Sequence, residues 1–253
     1  YDVNTNTNTM VAWSWKAGGS ASSNSNGSIT SSVSASTDAG FSIVSYTGTG
    51  SDANVGHGLS SAPELIITKS RSTTGDWKVH TSAIDGSWDV GTLNSTSAFG
   101  NSSYTASTNS IFYVGSGAPT NASSVTYVSY LLHSVKGYSK FGSYTGNGSL
   151  DAPFIHLGFK PAWLMIKRTD TTNSWVMFDN KRNAFNVVDK HLFANTTDPE
   201  DSSANYNEVD FLSNGFKLRE DNNTINASGG SYIYMAFAES PFVNSNGVPN
   251  NAR

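Results

Sequence analysis

The chain has 253 residues, of which 13% are charged and 12% are aromatic, and its formal net charge is −4. Lysine and arginine occur without runs, which argues against binding to nucleic acid or to an anionic membrane surface. The absence of cysteine excludes disulfides, thiolate zinc sites and a cysteine nucleophile. No stretch approaches the roughly 20 apolar residues of a membrane helix, so membrane insertion is not expected.

The N-terminal region, residues 1–28, is predicted to contain a strand followed by a linker. Residues 10–16 follow the same pattern as residues 127–133 and 232–238, each of which closes a longer repeat. We therefore expect residues 10–16 to be the closing strand of a preceding module, and the chain to be a piece of a longer protein. Residues 18–28 are rich in glycine, serine and asparagine, a composition typical of a flexible linker.

The remainder of the chain consists of two copies of one pattern. Residues 45–51 recur almost unchanged as residues 143–149, a shift of 98 positions. A later block, residues 121–123, recurs as 226–228 at a shift of 105 positions. A repeat of about 100 residues has the size of a small domain.

This spacing predicts a first module at residues 29–137 and a second module at residues 138–243, followed by a polar tail at residues 244–253.

Short strands are predicted within each module. Residues 41–46 alternate apolar and polar side chains, as in a half-buried strand, and a glycine turn follows. Residues 65–69 are apolar on both faces, which is typical of a strand covered on each side, and Pro63 marks where it begins. Residues 76–80 follow a polar turn and complete a hairpin.

The closing strands of the two modules are predicted to bury one face in the core. That face carries Val128, Tyr130 and Leu132 in the first module, and Ile233, Met235 and Phe237 in the second. A helical period is nearly absent, whereas brief strands with glycine-rich turns are frequent. The predicted fold is therefore all-β, with two tandem antiparallel β-sandwich modules of the jelly-roll or lectin-like kind.

Motifs for catalysis are scarce. The sequence contains no Gly-x-Ser-x-Gly elbow, and its five histidines lack metal-ligand spacing, so we expect neither a metal nor a cofactor. Asp85 and Asp89 flank Trp88, and two carboxylates beside an aromatic ring are what a glycosidase uses. The second copy has Asn183 and Val187 at the two acidic positions, which favours a role in solvating a loop.

Carbohydrate binding is the other chemistry that the sequence suggests. Trp88 and Tyr104 lie in the most polar and least repeated part of the first module. Exposed aromatic rings in a variable loop can stack on sugar rings. The candidate carbohydrate-binding residues are therefore Trp88, Tyr104, Asp85 and Asp89, although tryptophan in a β-protein more often belongs to the core, and both interpretations remain open.

Several strings of the sequence are long enough to be distinctive. They are residues 40–50, 56–59, 62–63, 137–148, 166–170, 210–219 and 236–239. Together they resemble an uncharacterised tandem β-sandwich repeat family found in large structural proteins of bacteriophages, especially marine ones. The resemblance implies a virion location in a tail-fibre or other appendage protein, and it provides no catalytic residues to carry over.

We therefore expect a non-enzymatic virion structural protein, part of a phage tail fibre, spike or capsid-surface appendage. Its expected partners are other virion proteins, further copies of itself, with a trimer by analogy with such fibres, and a glycan of the host surface. Two alternatives remain open. A stand-alone carbohydrate-binding module predicts exposed aromatic side chains, whereas a glycan-degrading enzyme predicts a cleft with close carboxylates.

Overall fold

The computed structural model describes residues 9–201 and 208–239. Antiparallel sheets form two modules, and each module is a sandwich of a larger main sheet and a smaller cover sheet. The predicted all-β fold with two sandwich modules is confirmed.

The first module contains the following elements, in chain order: β1 (Ser22–Asn24), β2 (Ser31–Ser36), β3 (Phe41–Thr47), β4 (Ala53–Gly56), β5 (Leu65–Ser70), β6 (Lys78–Thr81), β7 (Asp89–Thr92), β8 (Gly100–Asn101), β9 (Ile111–Val114), α1 (Ala118–Asn121) and β10 (Thr126–Leu132). Its main sheet has the order β1-β2-β3-β10-β5-β6-β7-β8, and its cover sheet pairs β4 with β9.

The second module contains these strands: β11 (Ser139–Thr145), β12 (Phe154–His156), β13 (Trp163–Arg168), β14 (Trp175–Asp179), β15 (Leu192–Phe193), β16 (Val209–Leu212), β17 (Gly215–Leu218) and β18 (Ser231–Phe237). Its main sheet has the order β11-β18-β13-β14-β15, and its cover sheet the order β12-β17-β16. Strands β11, β18, β13 and β14 take the places of β3, β10, β5 and β6, so the sequence repeat is also a repeat of topology.

The repeated glycine turn that follows β3 and β11 requires glycine in both modules. A Cβ atom on Gly48 would lie 2.3 Å from the carbonyl oxygen of Ala122, and one on Gly146 would lie 2.3 Å from that of Ala227. Only a residue without a side chain lets two backbones approach this closely. The recurring glycines are therefore explained by packing.

A buried asparagine holds each of these turns. Asn121 Oδ1 accepts the backbone N–H of Thr49 at 2.8 Å, and Asn121 Nδ2 donates to the carbonyl of Ser51 at 2.6 Å. Asn226 makes the equivalent two bonds in the second module, each at 2.9 Å. Because both asparagines are fully buried, these bonds satisfy polar groups that water cannot reach.

Stacked tyrosines complete the repeated motif. Tyr46 lies against Tyr127 with ring centroids 5.3 Å apart, and Tyr144 lies against Tyr232 at 4.9 Å. The residues that are most similar between the two copies therefore form the same structure in both modules.

The closing strands bury both of their faces. In β10, Tyr127 and Leu131 point into the first module's own core, while Leu132 and half-buried Tyr130 face the second module. The face of the closing strand that was predicted to lie in the core therefore faces the junction between the modules. The residues that alternate with it line the interior of the sandwich. An alternating pattern identifies two faces but cannot assign them when both are covered.

The two main sheets pack against each other through an apolar layer that joins the modules. Phe99 of the first module lies 5.8 Å from the ring of Trp175 in the second, and Trp175 Nε1 donates to the carbonyl of Thr92 at 3.0 Å. The ammonium of buried Lys167 donates to the carbonyl of Thr96 across the same junction. The modules therefore form one packed unit.

Trp77 and Trp175 occupy equivalent positions at this junction. The backbone N–H of Trp77 donates to Asn94 Oδ1 at 2.9 Å, and that of Trp175 donates to Asn195 Oδ1 at 2.8 Å. Both rings contribute to the apolar layer, although Trp175 is buried and Trp77 is half-buried. The repeat is thus recognisable at the level of single hydrogen bonds.

Residues 10–16 do not form the predicted strand. They contribute Trp13 and Trp15 to the junction, where the Trp15 ring centroid lies 5.3 Å from that of Trp163. Trp13 Nε1 donates to Asp179 of the second module at 3.2 Å. The segment is held by its aromatic side chains rather than by a sheet edge, so its likeness to the closing strands gave the wrong prediction of a strand.

The predicted linker at residues 18–28 is also corrected, because it contains β1, which pairs with β2 at the edge of the main sheet. Asn24 Oδ1 accepts the backbone N–H of Asn26 at 2.9 Å, so local hydrogen bonds order this polar stretch. The predicted polar tail, residues 244–253, lies outside the described residues.

Candidate ligand-binding groove

A groove of about 420 Å³ opens on the first module. It lies between residues 52–53, 103–105 and 113–117, and two tyrosine rings line it. We call it the Tyr104–Tyr113 groove. Its volume falls within the range of about 300–1,000 Å³ that is usual for small-molecule sites.

The side chain of Tyr104 is held in place by contacts on the protein side of the groove. Its hydroxyl shares a hydrogen bond of 2.9 Å with Thr120 Oγ1, and its ring stacks on His80 with centroids 4.8 Å apart. A Cβ atom on Gly115 would lie 2.7 Å from the Tyr104 ring, so glycine is needed where the backbone passes this ring. The orientation of Tyr104 is therefore set by its surroundings before any ligand arrives.

Tyr113 reaches the groove because of its place in β9. Its neighbours Phe112 and Val114 are buried, and side chains alternate between the faces of a strand. Tyr113 consequently points away from the core and is half-buried at the groove wall. Strand β4 supports it through the pairing of Tyr113 with Asn54.

A carboxylate lies at the rim of the groove. Asp52 Oδ1 accepts the backbone N–H of Ser116 at 2.8 Å, which joins the two segments that form this wall. Both residues are exposed, and the hydroxyl-bearing residues Ser103 and Thr105 lie along the same groove. The rim therefore offers hydrogen-bond acceptors and donors around two tyrosine side chains.

His80 lies beneath Tyr104 and is 5% exposed. Burial lowers the pKa of His80 to about 4, and the positive charge of Lys78 contributes in the same direction. A small cavity of about 10 Å³, close to the space one water needs, adjoins His80 and Trp88. The imidazole is thus neutral at pH 7 and gives Tyr104 an uncharged support.

The sequence-predicted candidates occupy different environments. Tyr104 lines the groove, and Trp88 lies behind it, 6% exposed in the core of the first module. Trp88 is therefore not an exposed stacking surface. Asp89 pairs with Thr81 in β7, on the face that points to the module junction, and Asp85 lies in an exposed turn.

The two predicted acidic residues also differ in their protonation behaviour. Hydrogen bonds from the Ser87 hydroxyl and backbone N–H lower the pKa of Asp85. Burial raises the pKa of Asp89, and the negative charge of Asp85 adds to this shift. Neither carboxylate lines the Tyr104–Tyr113 groove, so the structure does not place them beside its aromatic rings.

Sequence reasoning missed Asp52, Tyr113 and Ser116. A usable signal is the comparison of the two copies, since Phe112 and Phe216 take the same place in the two cover sheets. The residues that follow are Tyr113 in the first module and Lys217 in the second. A position that changes chemistry next to an unchanged core residue marks the surface that differs between the modules.

A family model described as a domain of unknown function, DUF7483, matches residues 1–241. The chain belongs to the DUF7483 family. The match runs through both modules and the segment with Trp13 and Trp15, which agrees with their packing into one DUF7483 unit. The comparison with curated proteins finds no match, and the comparison with solved structures finds none either.

Within residues 9–201 and 208–239, no group of three or more histidine, cysteine, aspartate or glutamate side chains is placed to hold a metal ion. In the same described ranges, no helix has the length and apolar character needed to cross a bilayer.

Proposed function

We propose that this chain is a non-enzymatic structural protein of a bacteriophage particle, forming part of a tail fibre, spike or capsid-surface appendage. The resemblance of its repeated strings to phage appendage proteins motivates this assignment. Within the particle it assembles with further copies of itself and with other virion proteins.

The observation that supports this function most is that the duplicated residues serve to build and hold the fold. Gly48, Asn121 and their equivalents Gly146 and Asn226 form hydrogen-bonded turns in both modules. An apolar layer then joins the two main sheets. A duplicated fold whose two copies share a packed apolar junction suits a structural role in an assembly.

The direct test is the composition of purified particles. Virions of a phage whose genome encodes this chain would be isolated on a density gradient, analysed by mass spectrometry and labelled with an antibody against the chain. We expect its peptides at a fixed ratio to the major capsid protein and label on an external appendage. Detection in the infected-cell lysate but not in particles would contradict the proposal.

Assembly is tested separately by light scattering coupled to size-exclusion chromatography. We expect a mass that is a small multiple of 26.9 kDa, with three copies as the expectation from fibre analogy. A strictly monomeric chain at high concentration would contradict self-assembly through these modules.

A further inference from the structure

The Tyr104–Tyr113 groove lies on a surface of the first module whose residues change in the second module. By strand register, Tyr113 corresponds to Lys217. Lys217 forms an ion pair with Asp151 at 2.6 Å. Within the described residues, the place of Tyr113 on the second module is therefore charged.

The aromatic walls fit a ligand that has a flat apolar face. Tyr104 is held by Thr120 and His80, so binding against it orders few additional degrees of freedom. Tyrosine provides a large contact area at low conformational cost and keeps a polar hydroxyl at the edge of its ring. A pyranose ring has this shape, with C–H bonds on its faces and hydroxyls around its edge.

The polar groups of the groove fit a neutral ligand. Asp52 presents a carboxylate that accepts hydrogen bonds, and its position is fixed by the backbone of Ser116. Among the described residues that line the groove, none is lysine, arginine or histidine. A sialic acid, uronic acid, sulfate or phosphate would meet the charge of Asp52 without a compensating cation, which is unfavourable.

We propose that the Tyr104–Tyr113 groove binds a neutral pyranose residue of a glycan, which stacks on the two tyrosine rings while its hydroxyls donate to Asp52. Ser103, Thr105 and Ser116 complete the polar rim. This assignment gives a ligand class to the host-surface glycan that was expected as a partner of the proposed appendage, and it would stand even if the chain were absent from virions.

The test uses the full chain on an array that carries neutral glycans, with terminal hexose, deoxyhexose and N-acetylhexosamine, beside sialylated and sulfated ones. We expect weak, saturable binding to a subset of the neutral glycans. Saturation-transfer difference NMR with the best neutral oligosaccharide should show the strongest transfer to the ring C–H protons of one sugar. A flat array, or a preference for anionic glycans, would overturn the assignment.

Variants locate the binding. We expect Tyr113→Ala and Asp52→Ala each to weaken affinity roughly tenfold or more, while Tyr113→Phe retains the stacking surface and most of the affinity. Phe185→Ser is the matched control, because Phe185 is an exposed aromatic residue on the second module. Its affinity should equal that of the wild type. Equal binding by Tyr113→Ala, with an unchanged unfolding temperature, would refute the site.

Discussion

His80 makes the stability of the first module dependent on pH in a calculable way. In the folded chain its pKa is lowered to about 4, whereas an unfolded chain has the ordinary value of about 6.5. Below pH 6.5 the unfolded state binds a proton that the folded state does not, so stability falls as the pH falls from 6.5 to 4. The contribution is fully present above pH 6.5.

The size of this effect follows from the two pKa values. Between pH 8 and pH 5, His80 should remove about 2 kcal/mol of unfolding free energy. His57, whose pKa is also lowered by burial, adds to the loss in the wild type. The variant His80→Phe keeps a ring beneath Tyr104 but cannot be protonated, so it isolates the His80 part.

The measurement is urea unfolding at pH 8, 7, 6 and 5, followed by tryptophan fluorescence. The unfolding free energy of the transition that includes the first module should fall from pH 8 to pH 5 in both proteins. The fall should be about 2 kcal/mol smaller for His80→Phe than for the wild type. If the two curves run parallel within about 0.5 kcal/mol, burial of His80 does not control this dependence.

Three further predictions concern the repeated turn and the junction. Asn226→Ala should lower the unfolding free energy by about 2–4 kcal/mol, because it removes the buried amide that bonds the backbone of Asn147, Ser149 and Glu220. Exposed Asn101→Ala is its control, and an equal loss in both would contradict this role. Burial lowers the pKa of Lys167 to about 8, so stability should rise by about 2 kcal/mol from pH 7 to 9.5 relative to Lys167→Met. Parallel denaturation curves would refute this. Trp15→Ala should increase hydrogen exchange of β18, since the Trp15 ring lies 5.4 Å from Phe237. Unchanged exchange there would show that the segment does not stabilise the junction.

The repeat was predictable from sequence because its physical demands are local. A turn that brings Gly48 within van der Waals contact of a carbonyl, and an amide such as Asn121 that bonds its backbone, each need one specific residue type. When the same residues recur with the same spacing, the same local structure recurs. The sandwich fold then follows from the short alternating strands between these turns.

The junction was not predictable in the same way. Tyr130 and Leu132 alternate with Tyr127 and Leu131, and both pairs are apolar, so the pattern is equally compatible with either face turned inward. Packing of one module on the other is a long-range event that leaves no periodic signal. For the same reason Trp13 was assigned to a strand, although its partners, Asp179 and Arg182, lie more than 160 positions further along the chain.

The groove was predictable from the sequence only in part. Tyr104 was a candidate because it lies in a variable polar loop, whereas Asp52 and Tyr113 come from segments that pair only in the folded sheet. Trp88 was chosen by the same criterion as Tyr104, yet its ring belongs to the core. Composition of a loop indicates where contact can occur, and only the tertiary structure decides which aromatic ring is accessible.

The Tyr104–Tyr113 groove has a consequence for the proposed appendage. A single open site formed by Tyr104, Tyr113 and Asp52 offers few polar contacts, so its affinity for one sugar ring should be low. In the second module the place of Tyr113 is taken by Lys217, which pairs with Asp151, so this tyrosine wall is not repeated there. Attachment of the particle to a glycan surface would then depend on oligomerisation, which places several grooves on one particle. Binding through several grooves raises avidity by roughly two to four orders of magnitude without any new contact. In the proposed function, a scaffold that assembles and a weak sugar site that needs several copies would therefore complement each other.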